Sequence, residues 1–236
     1  MIKKTFFYLA LVAILFTSCQ SNEYDTRAVD ALDNLTDTIG ELNSCSYTVN
    51  VFTIGENGEE SNKLSDIYLR GPDKMYIENS GPKGDKHFWY NGKNFAYFLF
   101  NKSEYDIIEA PDNILKVIDL LHDKYGIDFP AADFLYPSLT DDIIENYSQL
   151  LYLGEEKVGD ITYISIEAIN DEHIVQVLIE KATNLPYKLV IESKTNENDY
   201  YEAVYSNWRI NPELPDIMFE FQAPENATQV KFQSKK

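Results

Sequence analysis

Between residues 47 and 109 the chain reverses direction repeatedly and leaves no room for a helix. Segments 47–54, 63–70, 74–79, 86–90, 94–100 and 105–109 are short, rich in β-branched and aromatic residues, and separated by turn chemistry. Gly55-Glu56-Asn57-Gly58 and Asn91-Gly92 are hairpin signals. Short turns between consecutive strands imply an antiparallel meander. A second run follows at 149–157, 160–169, 173–181, 187–193, 200–208 and 218–221. In it Tyr187, Leu189 and Ile191 alternate with Lys188, Val190 and Glu192, the period of a strand covered mainly on one face. Asn211-Pro212 and Leu214-Pro215 cannot continue a sheet ladder, so the chain bends before the last of these segments. A single sheet of about eleven strands must coil. The expected architecture is α+β: an open half-barrel of antiparallel strands wrapped over a few helices.

Two helices are expected. Ala28, Ala31, Leu32, Leu35, Ile39 and Leu42 form one apolar stripe, with Asp25 or Thr26 as N-cap. Its polar face carries Asp30, Asp33 and Asp37, which speaks for packing on the sheet and against lying on a membrane. The second helix is expected over 111–125, capped by Asp112 and closed by Gly126. Residues 130–136 and 139–147 read as short helical pieces broken by Pro137. Residues 95–100, Phe-Ala-Tyr-Phe-Leu-Phe, are apolar toward both faces, so both faces need a cover. One is core. The other calls for a helix, a lid, a ligand or a partner.

The N-terminus is an address. Lys3 and Lys4 precede an apolar core over 6–16, too short for the ~20 residues that span a bilayer. Thr17-Ser18-Cys19 then reads as a bacterial lipoprotein signal, with Phe16 where the pattern has Leu. The expected division is a signal peptide 1–18, a lipidated tether 19–25 and one domain over 26–232. Each buried CH₂ on a lipidated Cys19 adds ~0.8 kcal/mol to membrane anchoring. An ordinary secretory signal, a transmembrane anchor and a Cys19–Cys45 disulfide are the alternatives. With Cys19 lipidated, Cys45 is expected to be a small buried residue.

The net charge is −19. Such a surface repels nucleic acid and anionic headgroups, so membrane attachment must come from the lipid. No metal or cofactor is expected. His87, His122 and His173 stand in no metal-binding spacing, and no nucleophile elbow, dinucleotide fingerprint or P-loop occurs. A Ser-His-Asp set assembled by folding stays open. Acid pairs such as Asp141-Asp142 and Glu155-Glu156 read as a solvated face.

Several separated motifs carry a resemblance. They are Leu185-Pro186-x-Lys188-Leu189-x-Ile191 and, after a polar hairpin, Ser206-Asn207-Trp208-x-Ile210-Asn211-Pro212-x-Leu214-Pro215-Asp216-x-x-Phe219-x-Phe221-x-x-Pro224. Earlier come the helix ending at Leu35, Ile39, Leu42 and Ser44, then Arg70-Gly71-Pro72-Asp73-Lys74, Phe88-Trp89-Tyr90-Asn91-Gly92-Lys93 and Tyr125-Gly126-Ile127-Asp128-Phe129-Pro130. In order and over residues 25–232, these resemble the LolA-like lipoprotein-carrier superfamily. Within it they are most similar to a group of predicted periplasmic proteins described only as a domain of unknown function.

The resemblance implies an apolar cavity for lipid or acyl chains, with residues 111–147 as a lid over the mouth of the sheet; a permanently packed layer is the alternative for that segment. Strand parity then places Val51, Leu69, Ile77, Phe88, Leu99, Ile166, Val177 and Ile191 on the cavity face. Ile114, Val117, Ile118 and Leu121 face them from the lid. The expected function is a lipid-anchored envelope protein, facing periplasm or cell surface, that binds a hydrophobic ligand without catalysis. The alternative is a structural lipoprotein that packs on an envelope partner and holds no ligand, and a hydrolase is the third possibility.

Overall fold

The computed structural model describes residues 23–231 apart from 56, 128, 130–131 and 197–198. The signal segment and Cys19 lie outside the described residues. Among the described residues no helix is long and apolar enough to cross a membrane.

Strand β1 (Glu23–Tyr24) and helix α1 (Thr26–Gly40) lead into a meander. It runs β2 (Ser44–Ile54), β3 (Glu60–Arg70), β4 (Lys74–Ser80), β5 (Lys86–Tyr90), β6 (Asn94–Leu99) and β7 (Glu104–Glu109). The crossing segment holds α2 (Ile114–Leu120), a π-helical turn (Leu121–Tyr125), a 3-10 turn (Ala132–Leu135) and α3 (Leu139–Asn146). The second meander is β8 (Gln149–Val158), β9 (Ile161–Ile169), β10 (His173–Glu180), β11 (Pro186–Ser193) and β12 (Tyr200–Ile210). A 3-10 turn (Asp216–Phe219) and β13 (Thr228–Gln229) end the described chain.

All strands form one sheet in the order β1-β8-β9-β10-β11-β12-β2-β3-β4-β5-β6-β7-β13. The eleven strands β2 to β12 pair antiparallel, while the two-residue strands β1 and β13 add a parallel step at the two edges. The order is linear, so the half-barrel is open, as the sequence implied. After β1 at one edge and helix α1, the chain enters the middle of the sheet with β2 and meanders to the opposite edge. It then crosses the inner face as helices and meanders back from the other edge.

The seam between β2 and β12 explains the Ser-Asn-Trp-x-Ile-Asn-Pro motif. The pairing slips between Ser206 and Arg209, a bulge. Asn207 sits there at φ 57°, and its amide donates to Thr48 Oγ1 at 3.2 Å. Trp208 stacks on Tyr47 with ring centroids 4.3 Å apart, and its indole N–H donates to the Pro186 carbonyl at 3.1 Å. Asn211, at φ 50°, accepts from the Asn43 and Ser44 amides through Oδ1 at 2.9 and 3.2 Å. Asn211→Ala should therefore destabilise the protein by about 2 kcal/mol, combining the left-handed backbone cost with the lost hydrogen bonds. Asn211→Gly should recover the backbone part in urea unfolding. Equal midpoints for the two variants would show that φ is not the constraint.

Helix α1 begins as expected: Asp25 caps it by accepting from the Arg27 amide at 2.9 Å. Its stripe of Ala28, Ala31, Leu32, Leu35 and Ile39 is buried. The second helix is shorter than expected. Asn113, not Asp112, is its N-cap and accepts from the Leu115 amide at 2.9 Å, while Asp112 pairs instead with Lys116 at 3.1 Å. Gly126 closes the π-helical turn at φ 64°, the conformation foreseen for it.

Residues 218–221 are not a strand, which corrects the sequence reading. Pro212 and Pro215 remove two backbone donors, and the Asp216–Phe219 turn buries Phe219. The chain then crosses the outer face of β3 to β7. Arg70 donates to the Leu214 carbonyl at 2.6 Å and pairs with Asp216, and Asn91 donates to Glu220 at 2.9 Å. Phe221 packs on Trp89 and Tyr105 with centroids 5.0 and 5.2 Å away, and on Phe98 at 6.4 Å. The second cover of residues 95–100 is thus the chain's own tail.

Candidate functional site

The residues expected to line a cavity sit on the inner face but do not surround one space. Val51, Leu69, Ile77, Phe88, Ile166 and Val177 are buried, as are Ile114, Val117, Ile118 and Leu121 opposite them. Leu99 and Ile191 are half-buried. Where α2 overlies β2 to β4 the interior is filled. Leu69, Ile77 and Ile118 border a void of only about 10 Å³ there, at the lower limit for one water. Leu69 and Ile114 also edge a notch of about 170 Å³.

Real space opens on either side of the β2–β12 seam. An apolar cleft of about 460 Å³ lies between the second half of the crossing segment and β10 and β11. Phe134, Leu139, Ile143 and Tyr147 form one wall, and Val175, Val177, Leu189 and Ile191 form the other. Asp133, Tyr136, Asp142 and Asn146 make its polar rim. Leu139 and Ile143 are one helical turn apart, and Ser138 ties that turn down through a hydrogen bond to Asp142 at 2.8 Å. Among the expected residues only Val177 and Ile191 belong to this cleft. Val175 and Leu189 share their parity on the same strands and follow from the same alternation, whereas nothing in the sequence pairs α3 with β10 and β11.

A second cleft of about 740 Å³ lies at the ends of β2 to β6. Phe88, Leu99 and Ile127 are its apolar lining, and Lys63, Lys83, Lys86 and Lys102 its charged lining, with Asp85 the one acid among the described residues. Lys86 is held below its usual value, first by burial and then by Lys102 and Lys83. Sequence reasoning missed these lysines. Lys63 and Lys86 do fall on the inward parity with Leu69 and Phe88, which is the only signal that could have found them. Val51, Val117, Leu121 and Ile166 line none of these spaces.

The pairing register places both clefts at one end of the half-barrel. Ile191 faces Tyr201, which faces Thr53, which faces Ser61. In the next row Leu189, Ala203, Val51 and Lys63 follow one another.

Other titratable groups lie elsewhere. Cys45 is buried in the core, and burial pushes its thiol up to about 12, so it is a poor nucleophile. His87 belongs to an outer-face aromatic strip, where its Nδ1 meets the Tyr76 hydroxyl at 3.1 Å, and burial lowers its value. Among the described residues no three His, Cys, Asp or Glu side chains converge as metal ligands.

The fold recurs in a solved structure of an uncharacterized conserved protein from Thermus thermophilus. The two are 11% identical at a TM-score of 0.52, over 86% of this chain and 98% of that one. Mycobacterium tuberculosis lipoprotein LppX is 15% identical at a TM-score of 0.49, over 81% of this chain and 98% of its own. A LolA superfamily protein from Nitrosomonas europaea is 12% identical at a TM-score of 0.40, over 82% and 97%. No curated protein matches the chain. The family model described as "Predicted periplasmic protein (DUF2092)" matches residues 28–233, and the chain belongs to that family.

Proposed function

We propose that this protein is an exported binding or carrier protein, anchored through a lipidated Cys19, that holds an acyl chain or similar apolar ligand without catalysis. The observation that carries the reading is the apolar cleft between α3 and β10–β11. Its volume, about 460 Å³, falls in the range of small-ligand sites, and eight apolar side chains wall it. Each 100 Å² of chain removed from water there contributes about 2.5 kcal/mol. The carrier reading implied by the resemblance, and the periplasmic description of the family, agree with an extracytoplasmic ligand.

Admission of a chain requires movement, and α2 is the wrong element to move. Val117 and Leu121 are fully buried beneath it. The 3-10 turn and the eight-residue α3 are short, and one side of each faces the cleft. They are the lid in this reading, narrower than the whole of 111–147.

The test is titration of the purified protein with a fluorescent fatty acid, with lipid extraction and mass spectrometry alongside. Saturable one-site binding is expected. Leu189→Trp places an indole in the cleft and should weaken it at least tenfold, on the order of the 1.4 kcal/mol that a tenfold change represents. Ile77→Val, beneath α2, should leave binding unchanged. No co-purifying lipid and no saturable binding would sink the carrier reading and leave the ligand-free envelope partner.

A further inference from the structure

We propose that the lysine-lined cleft is an anion site, taking the phosphate or carboxylate head of an amphiphile whose chain lies in the apolar cleft. The second half of this statement rests on the proposed function, and the first half does not.

Four of the chain's 20 basic residues converge on this cleft, in a protein of net charge −19. They come from four places: Lys63 from β3, Lys83 from the β4–β5 loop, Lys86 from β5 and Lys102 after β6. Among the described residues, Lys83, Lys86 and Lys102 form no ion pair with a carboxylate. Like charges gathered at one cleft repel one another, and a bound anion relieves that repulsion beyond what the nearby Asp85 supplies. The Lys86 ammonium is held down by burial first, with Lys102 and Lys83 adding to it.

The second observation is independent of charge. Asn79 lines the cleft and is only 6% exposed, yet its Oδ1 has no partner among the described residues. Its neighbour across the β3–β4 pair, Ser65, is fully buried with its hydroxyl also unpartnered. Buried polar atoms are nearly always paired, so the Asn79 carbonyl oxygen at the wall of the lysine cleft is an acceptor that suits a ligand hydroxyl, whereas Ser65 lies behind it and lines no part of the cleft. Phe88 and Leu99 of the same cleft suit the start of an apolar stem.

The register supplies the connection. Leu189 of the apolar cleft and Lys63 of the cationic one lie in one row, three strand spacings apart. Three spacings amount to about 14 Å, within reach of one single-chain amphiphile. Ala203 and Val51 stand between them in that row and are both buried, lining neither cleft, so an amphiphile that spans the two must displace what covers them.

The probes are 1-oleoyl lysophosphatidate, 1-oleoylglycerol, which lacks only the phosphate, and inorganic phosphate. Lysophosphatidate should bind at least about tenfold more tightly than 1-oleoylglycerol at low salt, the gap closing as salt is added. In the triple variant K83Q/K86Q/K102Q the gap should vanish while 1-oleoylglycerol binding stays unchanged. The double variant K83E/K102E, at two exposed positions, should invert the preference and guards against misfolding of the first. Equal affinity of the two lipids in the unaltered protein overturns the head assignment while the chain cleft stands. If neither lipid binds, the carrier reading fails and phosphate alone decides. A lysine side-chain NMR shift lost in the triple variant upholds the anion site, and no shift overturns it. Phosphate binding as tightly as lysophosphatidate makes this a free-anion site and overturns the link to a chain.

Discussion

Leu35→Ala is expected to lower the unfolding free energy by about 4 kcal/mol, near the top of the range for truncating a buried leucine. Leu35 is 0% exposed at the centre of the α1 stripe, with Leu32 and Ala31 buried beside it. Helix α1 packs on α3, β8 and the Ala132–Leu135 turn, so it braces the same elements that wall the apolar cleft. Its surroundings come from a helix and a wide sheet, neither of which can close around a lost isobutyl group. The midpoint in urea should fall with an unchanged slope, and Tm should drop by roughly 10 °C, at 2–4 °C per kcal/mol for a domain of this size. Asp33→Ala on the exposed side of the same helix should stay within about 0.5 kcal/mol of the unaltered protein. A loss below 1 kcal/mol for Leu35→Ala would mean that α1 does not belong to the core.

That contrast shows why so much of the fold was legible. A helix with one buried stripe and a strand with one buried face write their geometry into residue spacing, and the eleven long strands and α1 were read from it. Turn chemistry fixed the order of the meander, because Asn91-Gly92 leaves no alternative to a hairpin. The reading failed where covering was decided by distant chain. Met218-Phe219-Glu220-Phe221 alternates like a strand, yet two upstream prolines and an outer face in need of cover turned it into a 3-10 turn and a crossing tail. Periodicity can say that a side chain is covered, but it cannot say by what.

The clefts were harder still. Parity put Val177 and Ile191 on the face that carries the apolar cleft, and it gave Leu69 and Ile77 the same signature although they meet Ile118 in filled core. The difference lies in how closely α2 and α3 approach the sheet, a quantity no alternation encodes. The lysine cleft was invisible for another reason. Each lysine taken singly reads as a solvated charge, and the net charge of −19 argued against any anion site. A mean charge carries no information about a local cluster assembled from separate strands and loops.

The other large effect is expected at the tail. Phe219→Ala should cost about 3 kcal/mol, at the low end for a buried phenylalanine because the site is close to solvent. Phe219 is 1% exposed and lies apart from the main core, on the opposite side of the sheet from α1 and α2. Arg70 sits over its ring at 5.2 Å, and the same guanidinium holds the Leu214 carbonyl and Asp216. Removing the ring therefore loosens the whole latch. The tail downstream then loses its hold, and Phe221 lifts from Trp89 and Phe98. Trp89 should report the change as a red-shifted emission, and protease should cut near residue 220 before the sheet unfolds. Ile217→Ala, two residues away and 63% exposed, should do none of this. Because the latch grips the outer face and the apolar cleft lies on the inner one, fatty-acid binding by Phe219→Ala should survive at temperatures where the variant is still folded. Loss of binding there, without loss of the sheet, would mean that the tail and the cleft are coupled through β3 to β7, and that the two faces of the half-barrel do not act independently.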